Sequence, residues 1–137
     1  MEEKNILTIN ELAILVWLKV LDDFDEATID GEKVGSLKEK LDIFTVESAD
    51  IEREEFDEAV EKFKEIALLV EVNDEMYLSD TAKQIAKEVL DEENGNITIT
   101  TSIKKIAKRI YDNRDKIIRF LAKTAELAIP IILEAVI

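Results

Sequence analysis

The chain has 137 residues, of which 47% are hydrophobic and 36% charged, and its formal net charge is −14. This hydrophobic fraction is enough to build a core, so the composition predicts a folded chain, and the length predicts one domain with room for an appended element. Neither cysteine nor histidine occurs, which excludes disulfides, thiolate metal sites and histidine general bases.

The first residues lack the basic and apolar regions of a signal peptide. No uncharged apolar run is long enough to span a bilayer. With the absence of cysteine, these features predict a cytoplasmic protein.

Charge is unevenly distributed along the chain. Residues 1–102 contain 10 Lys/Arg and 28 Asp/Glu, whereas residues 103–137 contain 8 and 4. The sequence therefore predicts an acidic domain over residues 1–96, followed by a basic and apolar helical segment over residues 97–137.

Three helices are predicted in the first half. Thr8 and Glu11 form a capping box before a helix that runs to about Phe24 and is apolar nearly all round, as expected of a helix at the centre of a core. Ser36 and Glu39 form a second capping box. A third helix follows Ser48 or Asp50, with Phe56, Ala59, Val60, Phe63, Ile66 and Ala67 at helical spacing.

The periodicity changes after this third helix. Residues 68–72 and 76–79 predict two short strands around a polar turn at residues 73–75. Asp80 or Thr81 is expected to cap a fourth helix, and residues 97–101 are expected to be extended.

The last element begins at Thr101 or Ser102. Its apolar residues keep helical spacing with an interruption near Asn113, which predicts one long amphipathic helix or two helices broken there, ended or kinked by Pro130. The tail, residues 127–137, is too apolar to lie free in solvent. We define the apolar stripe as the apolar side of the predicted helix, with residues Ile103, Ile106, Ile110, Ile117 and Leu121.

The predicted order of helix, short strand, two helices, two-stranded wing and helix resembles the winged helix-turn-helix family over about residues 8–92, most of all from Phe56 to Leu90. The resemblance implies a mainly α domain with a small β-wing, here followed by the long C-terminal amphipathic helix. It also implies that residues 52–67 correspond to the helix that docks into DNA in that family. Glycines frequent on either side of the wing in that family are replaced here by Ala67 and Ala82.

The charge of this helix argues against ordinary DNA binding. Residues 52–67 carry seven acids and three cations, and the wing turn adds Asp74 and Glu75 without a cation. DNA affinity depends on cations that neutralise phosphates, so this face favours a protein partner. One interpretation is a solvated surface, and the other is a docking surface for a basic partner, even a mimic of nucleic-acid charge. We define the acidic face as Glu54, Glu55, Glu58 and Glu61.

The C-terminal cations surround the apolar stripe and permit three interpretations. The segment packs on its own acidic domain, pairs with a second copy, or lies on an anionic membrane. Dimerisation through the apolar stripe is favoured, because the stripe exceeds what one small domain easily covers. Membrane association is less favoured, since Glu126 and Glu134 interrupt the apolar tail. We define the basic face as Lys104, Lys105, Lys108 and Arg109.

No residue pattern predicts catalysis, a cofactor or a metal. With 32 acids, paired carboxylates are expected by chance. The acidic segment around Gly31 is similar to a calcium-binding loop, but the position of its bidentate acid is occupied by Leu37. The sequence therefore predicts a non-enzymatic interaction or regulatory module. The alternatives are a winged-helix transcriptional regulator that binds DNA and a membrane-surface adaptor.

Overall fold

A computed structural model describes residues 6–24, 28–29, 32–33, 35–92, 97–123 and 132–134. The chain is mainly helical, as predicted. Its elements, in chain order, are β1 (Ile6–Thr8), α1 (Ile9–Asp22), β2 (Thr28–Ile29), β3 (Glu32–Lys33), α2 (Leu37–Ile43), α3 (Arg53–Glu65), β4 (Leu69–Val72), β5 (Glu75–Leu78), α4 (Asp80–Glu92), α5 (Ile103–Asp112), α6 (Arg114–Lys123) and β6 (Ile132–Glu134).

Helix α1 is the centre of the core. Its predicted capping box is confirmed, because the Thr8 hydroxyl accepts from the Glu11 amide at 3.1 Å and the Glu11 carboxylate accepts from the Thr8 amide at 2.8 Å. Helices α2, α3, α4 and α5 all pack against it. These neighbours cover α1 on several sides, so residues all round the helix are buried. They are Ile9, Leu12, Ala13, Ile14, Leu15, Val16, Trp17, Leu18 and Leu21.

The described residues on both sides of position 96 contribute to a single apolar core. Helix α5 packs directly on α1, and Ile103 donates its amide to the Ala49 carbonyl at 2.9 Å. The boundary drawn between an acidic domain and a C-terminal segment therefore does not separate two cores.

Helix α2 buries a lysine at the end of α1. The predicted cap is present, since the Ser36 hydroxyl accepts from the Glu39 amide, although the Glu39 carboxylate bonds the Ser36 hydroxyl instead of its amide. Lys40 is only 3% exposed, and its Nζ donates to the Asp22 carbonyl at 2.7 Å. A buried ammonium thus satisfies a carbonyl in the last turn of α1, where the helix dipole favours a cation.

The N-terminal cap of α3 differs from the predicted one, and its C-terminus is a tight turn. Its N-cap is Glu52 and makes no side-chain cap hydrogen bond, so the expected cap at Ser48 or Asp50 is wrong. At the other end, the amide of Leu68 donates to the Phe63 carbonyl at 2.8 Å and that of Ala67 to the Lys64 carbonyl at 3.3 Å. This is a Schellman motif, and it places Ala67 in the left-handed region with φ 62°.

The two strands predicted for residues 68–72 and 76–79 form the antiparallel hairpin β4–β5, which we call the wing. Its register pairs Val72 with Glu75, which leaves a two-residue turn, Asn73–Asp74, with φ values of 53° and 67°. Two positive φ values define a type I′ turn, whose twist matches that of the strands. Residues 28–29 and 32–33 form a second antiparallel hairpin where one short strand was predicted.

The residues around α4 correct two expectations. Helix α4 begins at Asp80, and the residue whose side chain caps it is Ser79, whose hydroxyl accepts from the Ala82 amide at 3.1 Å. Residues 97–101 form a turn instead of an extended segment, closed by the Thr101 amide on the Thr98 carbonyl at 3.0 Å.

The prediction of a single long C-terminal helix is wrong, and the alternative of two helices is confirmed. Ser102 caps α5 through the Lys105 amide, and α5 ends at Asn113. The side-chain amide of Asn113 donates to the Arg109 carbonyl at 3.0 Å. The backbone carbonyl of Asn113 accepts from the backbone amides of Lys116 and Ile117. Asn113 thereby closes one helix and opens the next. Pro130 lies outside the described residues. Over the described ranges, no helix combines the length and apolarity needed to cross a membrane.

Part of the apolar tail forms a strand on the start of the chain. Strand β6 pairs in parallel with β1, joining Ile6 to Ile132, Leu7 to Leu133 and Thr8 to Glu134. The side chains of Leu7 and Leu133 are buried, whereas Ile132 is 62% exposed. This short parallel pair therefore gains its stability from one buried leucine on each strand.

Replacing Ala67 by glycine is expected to raise the free energy of unfolding by about 1 kcal/mol, because an L side chain in the left-handed region is strained and glycine is not. Ala86→Gly, in the interior of α4, is expected to lower it by about 1 kcal/mol or more. Chemical denaturation measures both values. A destabilised Ala67→Gly chain would contradict the Schellman geometry.

Leu133→Ala is expected to lower the free energy of unfolding by about 2–3 kcal/mol, since it removes a buried side chain from the core. Ile132→Ala, its exposed neighbour, is expected to change it by less than about 0.5 kcal/mol. Thermal unfolding of the two variants makes the comparison. Equal effects would mean that β6 does not dock on β1 in the observed register.

Candidate functional site

Helix α3 presents the acidic face to solvent. The face is possible because Phe56, Ala59, Val60 and Phe63 take the buried side of the helix, which leaves the intervening glutamates outside. All four predicted residues, Glu54, Glu55, Glu58 and Glu61, are exposed.

The cations of α3 are each held by a carboxylate. Lys62 binds Glu11 of α1 at 2.9 Å, and Arg53 binds Glu47 at 3.3 Å. Lys64 lies between Glu61 at 3.6 Å and Glu71 of β4 at 3.5 Å.

Several acids of the helix lack such neutralisation. Within the described part of the chain, no cation pairs with Glu54, Asp57, Glu58 or Glu65. The outward surface of α3 consequently has an excess of negative charge that its own lysines and arginine do not cancel.

A shallow groove of about 380 Å³ runs beside the acidic face. Carboxylates from three elements line it, because β6 brings Glu134 next to Thr8 and the start of α1. Asn10 reaches across to Glu55, with 3.4 Å between its Nδ2 and the Glu55 Oε1. Sequence reasoning missed Glu134 as a member of this surface, since only the parallel pairing of β1 with β6 brings it there. Its lining residues are Thr8, Asn10, Glu11, Glu55, Glu58, Ala59 and Glu134.

The carboxylates are not arranged as a metal centre. Among the residues with described positions, no group of three or more acids is spaced to hold an ion. Exposed carboxylates on this face attract cations and accept hydrogen bonds.

The apolar stripe predicted for self-association lies in the core. Helix α5 turns its isoleucines toward α1, and the two stripe residues of α6 are buried with them. In the structure these side chains pack within one chain, and self-association of the protein stays a prediction. Their exposed fractions are 2% for Ile103, 0% for Ile106, 0% for Ile110, 2% for Ile117 and 2% for Leu121.

The basic face lies on the opposite side of α5 from the stripe. Lys104, Lys105 and Lys108 are exposed, while Arg109 is partly buried. Lys104 pairs with Asp50 at 3.7 Å and Lys108 with Asp112 at 3.4 Å. The face is thus partly neutralised by acids of the same chain.

The wing carries an apolar surface that sequence reasoning did not single out. The side chains of Val70, Val72 and Tyr77 are 42%, 49% and 50% exposed, and we call them the wing patch. The register places Val70 opposite Tyr77 and Val72 opposite Glu75 on the same side of the hairpin, while Leu69 and Leu78 face the core. No local signal was available, since valines that alternate with a glutamate are typical of a strand that turns its valines toward the core.

Tyr77 is hydrogen-bonded to Glu75, which lies on the same side of the hairpin. Its hydroxyl donates to Glu75 Oε2 at 2.6 Å. This hydrogen bond, together with the negative charge of Glu75, raises the pKa of Tyr77 above its ordinary value, because both disfavour the phenolate.

Glu75→Gln is expected to lower the pKa of Tyr77 toward its ordinary value, since the charge that opposes the phenolate is removed. Ultraviolet absorbance titration measures the change, in a Tyr111→Phe background that leaves one titrating phenol. An unchanged titration curve would contradict the contact between Tyr77 and Glu75.

Comparison of the chain with protein-family models, with curated proteins and with solved structures finds no match.

Proposed function

We propose that the chain is a non-enzymatic protein-interaction module that binds a cationic protein surface through the acidic face of α3. The observation that carries the proposal is the pairing of the cations of α3 with carboxylates, while several of its exposed acids pair with no cation of the described ranges. A fixed excess of negative charge on a rigid helix attracts cationic partners and speeds their encounter.

The groove beside α3 supports the same function. Glu134 extends the negative surface from α3 onto β6, whereas Glu11, which also lines the groove, is paired with Lys62. Since these elements are held by the core, the carboxylates are presented in a fixed arrangement and a partner does not have to order them.

A nucleic acid is disfavoured by the same surface. Phosphates approaching α3 would meet carboxylates, and the wing turn adds Asp74 and Glu75. The winged-helix resemblance is compatible with a protein-binding role, because a fold does not specify its ligand.

Reversal of the acidic face tests the proposal. Glu54, Glu55, Glu58 and Glu61 are changed together to lysine, and the wild-type and variant chains are used to capture proteins from the lysate of the native host at low and high salt. We expect the proteins held by the wild-type chain to be lost at high salt and to fall by roughly tenfold or more with the variant.

A matched control reverses four exposed acids elsewhere, namely Asp42, Asp91, Asp112 and Asp115. It changes the net charge equally and is expected to retain the captured proteins. Capture that survives reversal of the acidic face would refute the proposal. Recovery of DNA or of anionic lipid, abolished by changing Lys104, Lys105 and Lys108 to glutamate, would support instead the regulator or the membrane adaptor.

A further inference from the structure

The wing patch is an apolar surface with a carboxylate inside it. Val70 and Tyr77 form a cross-strand pair, and Val72 stands beside them opposite Glu75. An aromatic and β-branched pair of this kind stabilises a hairpin, but that role does not require all three side chains to remain about half exposed. Tyrosine at such a position is typical of residues that contribute strongly to protein interfaces.

The charged groups of the hairpin have one sign. Glu71, Asp74 and Glu75 are exposed, and no residue from 69 to 78 is cationic. Lys38 of α2 donates to the Asp74 carbonyl at 3.1 Å, and Lys64 of α3 lies 3.5 Å from Glu71. Within the described part of the chain, no cation pairs with the carboxylates of Asp74 and Glu75. A partner that covers the wing patch therefore meets apolar side chains and negative charge together.

Helix α3 and the hairpin that carries the wing patch are adjacent in the fold. Lys64 contacts Glu61 of the acidic face at 3.6 Å and Glu71 of β4 at 3.5 Å, and Glu71 lies on the side of the hairpin opposite the wing patch. The end of α3 and the hairpin are thus neighbours, and the amide of Ser79 donates to the Leu68 carbonyl at 2.9 Å at the base of the wing.

We propose that the wing patch binds the apolar side chains of a cationic segment of a partner protein, a segment in which apolar residues are interspersed with lysine or arginine. The inference rests on the proposed function, because the acidic face supplies the attraction for the cations. The wing patch supplies the selection: it distinguishes a cationic segment that carries apolar side chains from one that carries only charge. The apolar residues pack on Val70, Val72 and Tyr77, and a cation beside them meets Glu75.

Two synthetic peptides of equal length and net charge test this inference. In one, leucine alternates with lysine; in the other, serine replaces every leucine. Fluorescence anisotropy with the full chain is expected to give an affinity for the leucine peptide about tenfold or more above that for the serine peptide.

The wing variant changes Val70, Val72 and Tyr77 to threonine, which keeps strand propensity and removes the apolar contact. It is expected to bind both peptides alike, at the level of the serine peptide. Ile132→Thr, an exposed isoleucine on β6, is the matched control and is expected to keep the preference. Circular dichroism verifies that each variant retains the helical fold.

Each outcome decides between the two proposals. Equal binding of both peptides by the wild-type chain would overturn the role of the wing patch and leave the acidic face intact as a binding surface. A preference that persists in the wing variant would place the apolar contact elsewhere and overturn the inference. Loss of all binding on reversal of the acidic face, with the preference absent only in the wing variant, supports both proposals. Binding of neither peptide would overturn both.

Discussion

Enclosure of α1 is the constraint on which the rest of the structure depends. A helix that is apolar nearly all round has no side that tolerates water, so every neighbouring element is needed to cover it. Helices α2 to α5 meet this requirement from different directions, and Trp17 contacts Phe56 of α3 edge to face, with ring centroids 6.3 Å apart. The acidic face faces outward as a consequence, because α3 has to turn Phe56 and Phe63 toward α1.

This constraint explains which parts of the fold could be predicted from the sequence. The capping box at Thr8 and the turn at Asn73–Asp74 depend on residues close together in the chain, and both are observed. The break at Asn113 also follows from local hydrogen bonding. Pairing between distant segments leaves no local signal. The parallel contact between β1 and β6 joins opposite ends of the described chain, and it determines where Glu134 lies.

The apolar stripe is a second case in which a local pattern does not identify the distant segment that it contacts. Helical spacing identified Ile103, Ile106 and Ile110 as one apolar side, but spacing does not state what covers that side. In the structure, α1 of the same chain covers these residues. The outward surface of α5 is therefore polar, and exposed apolar side chains lie on the wing, on α6 and on β6. Those of the wing were not distinguishable in the sequence from ordinary strand residues.

The order of the elements along the chain has a consequence for how the protein is made. Helix α1 is synthesised before α4 and α5, which cover much of it, and β6, the partner of β1, comes later still. A nascent chain that has emerged only as far as α3 leaves α1 without the cover that α4 and α5 provide. Contacts between distant segments form slowly, and exposed apolar surface aggregates meanwhile. The strongly acidic first half opposes aggregation in that interval, since chains of high like charge repel one another while their cores are incomplete.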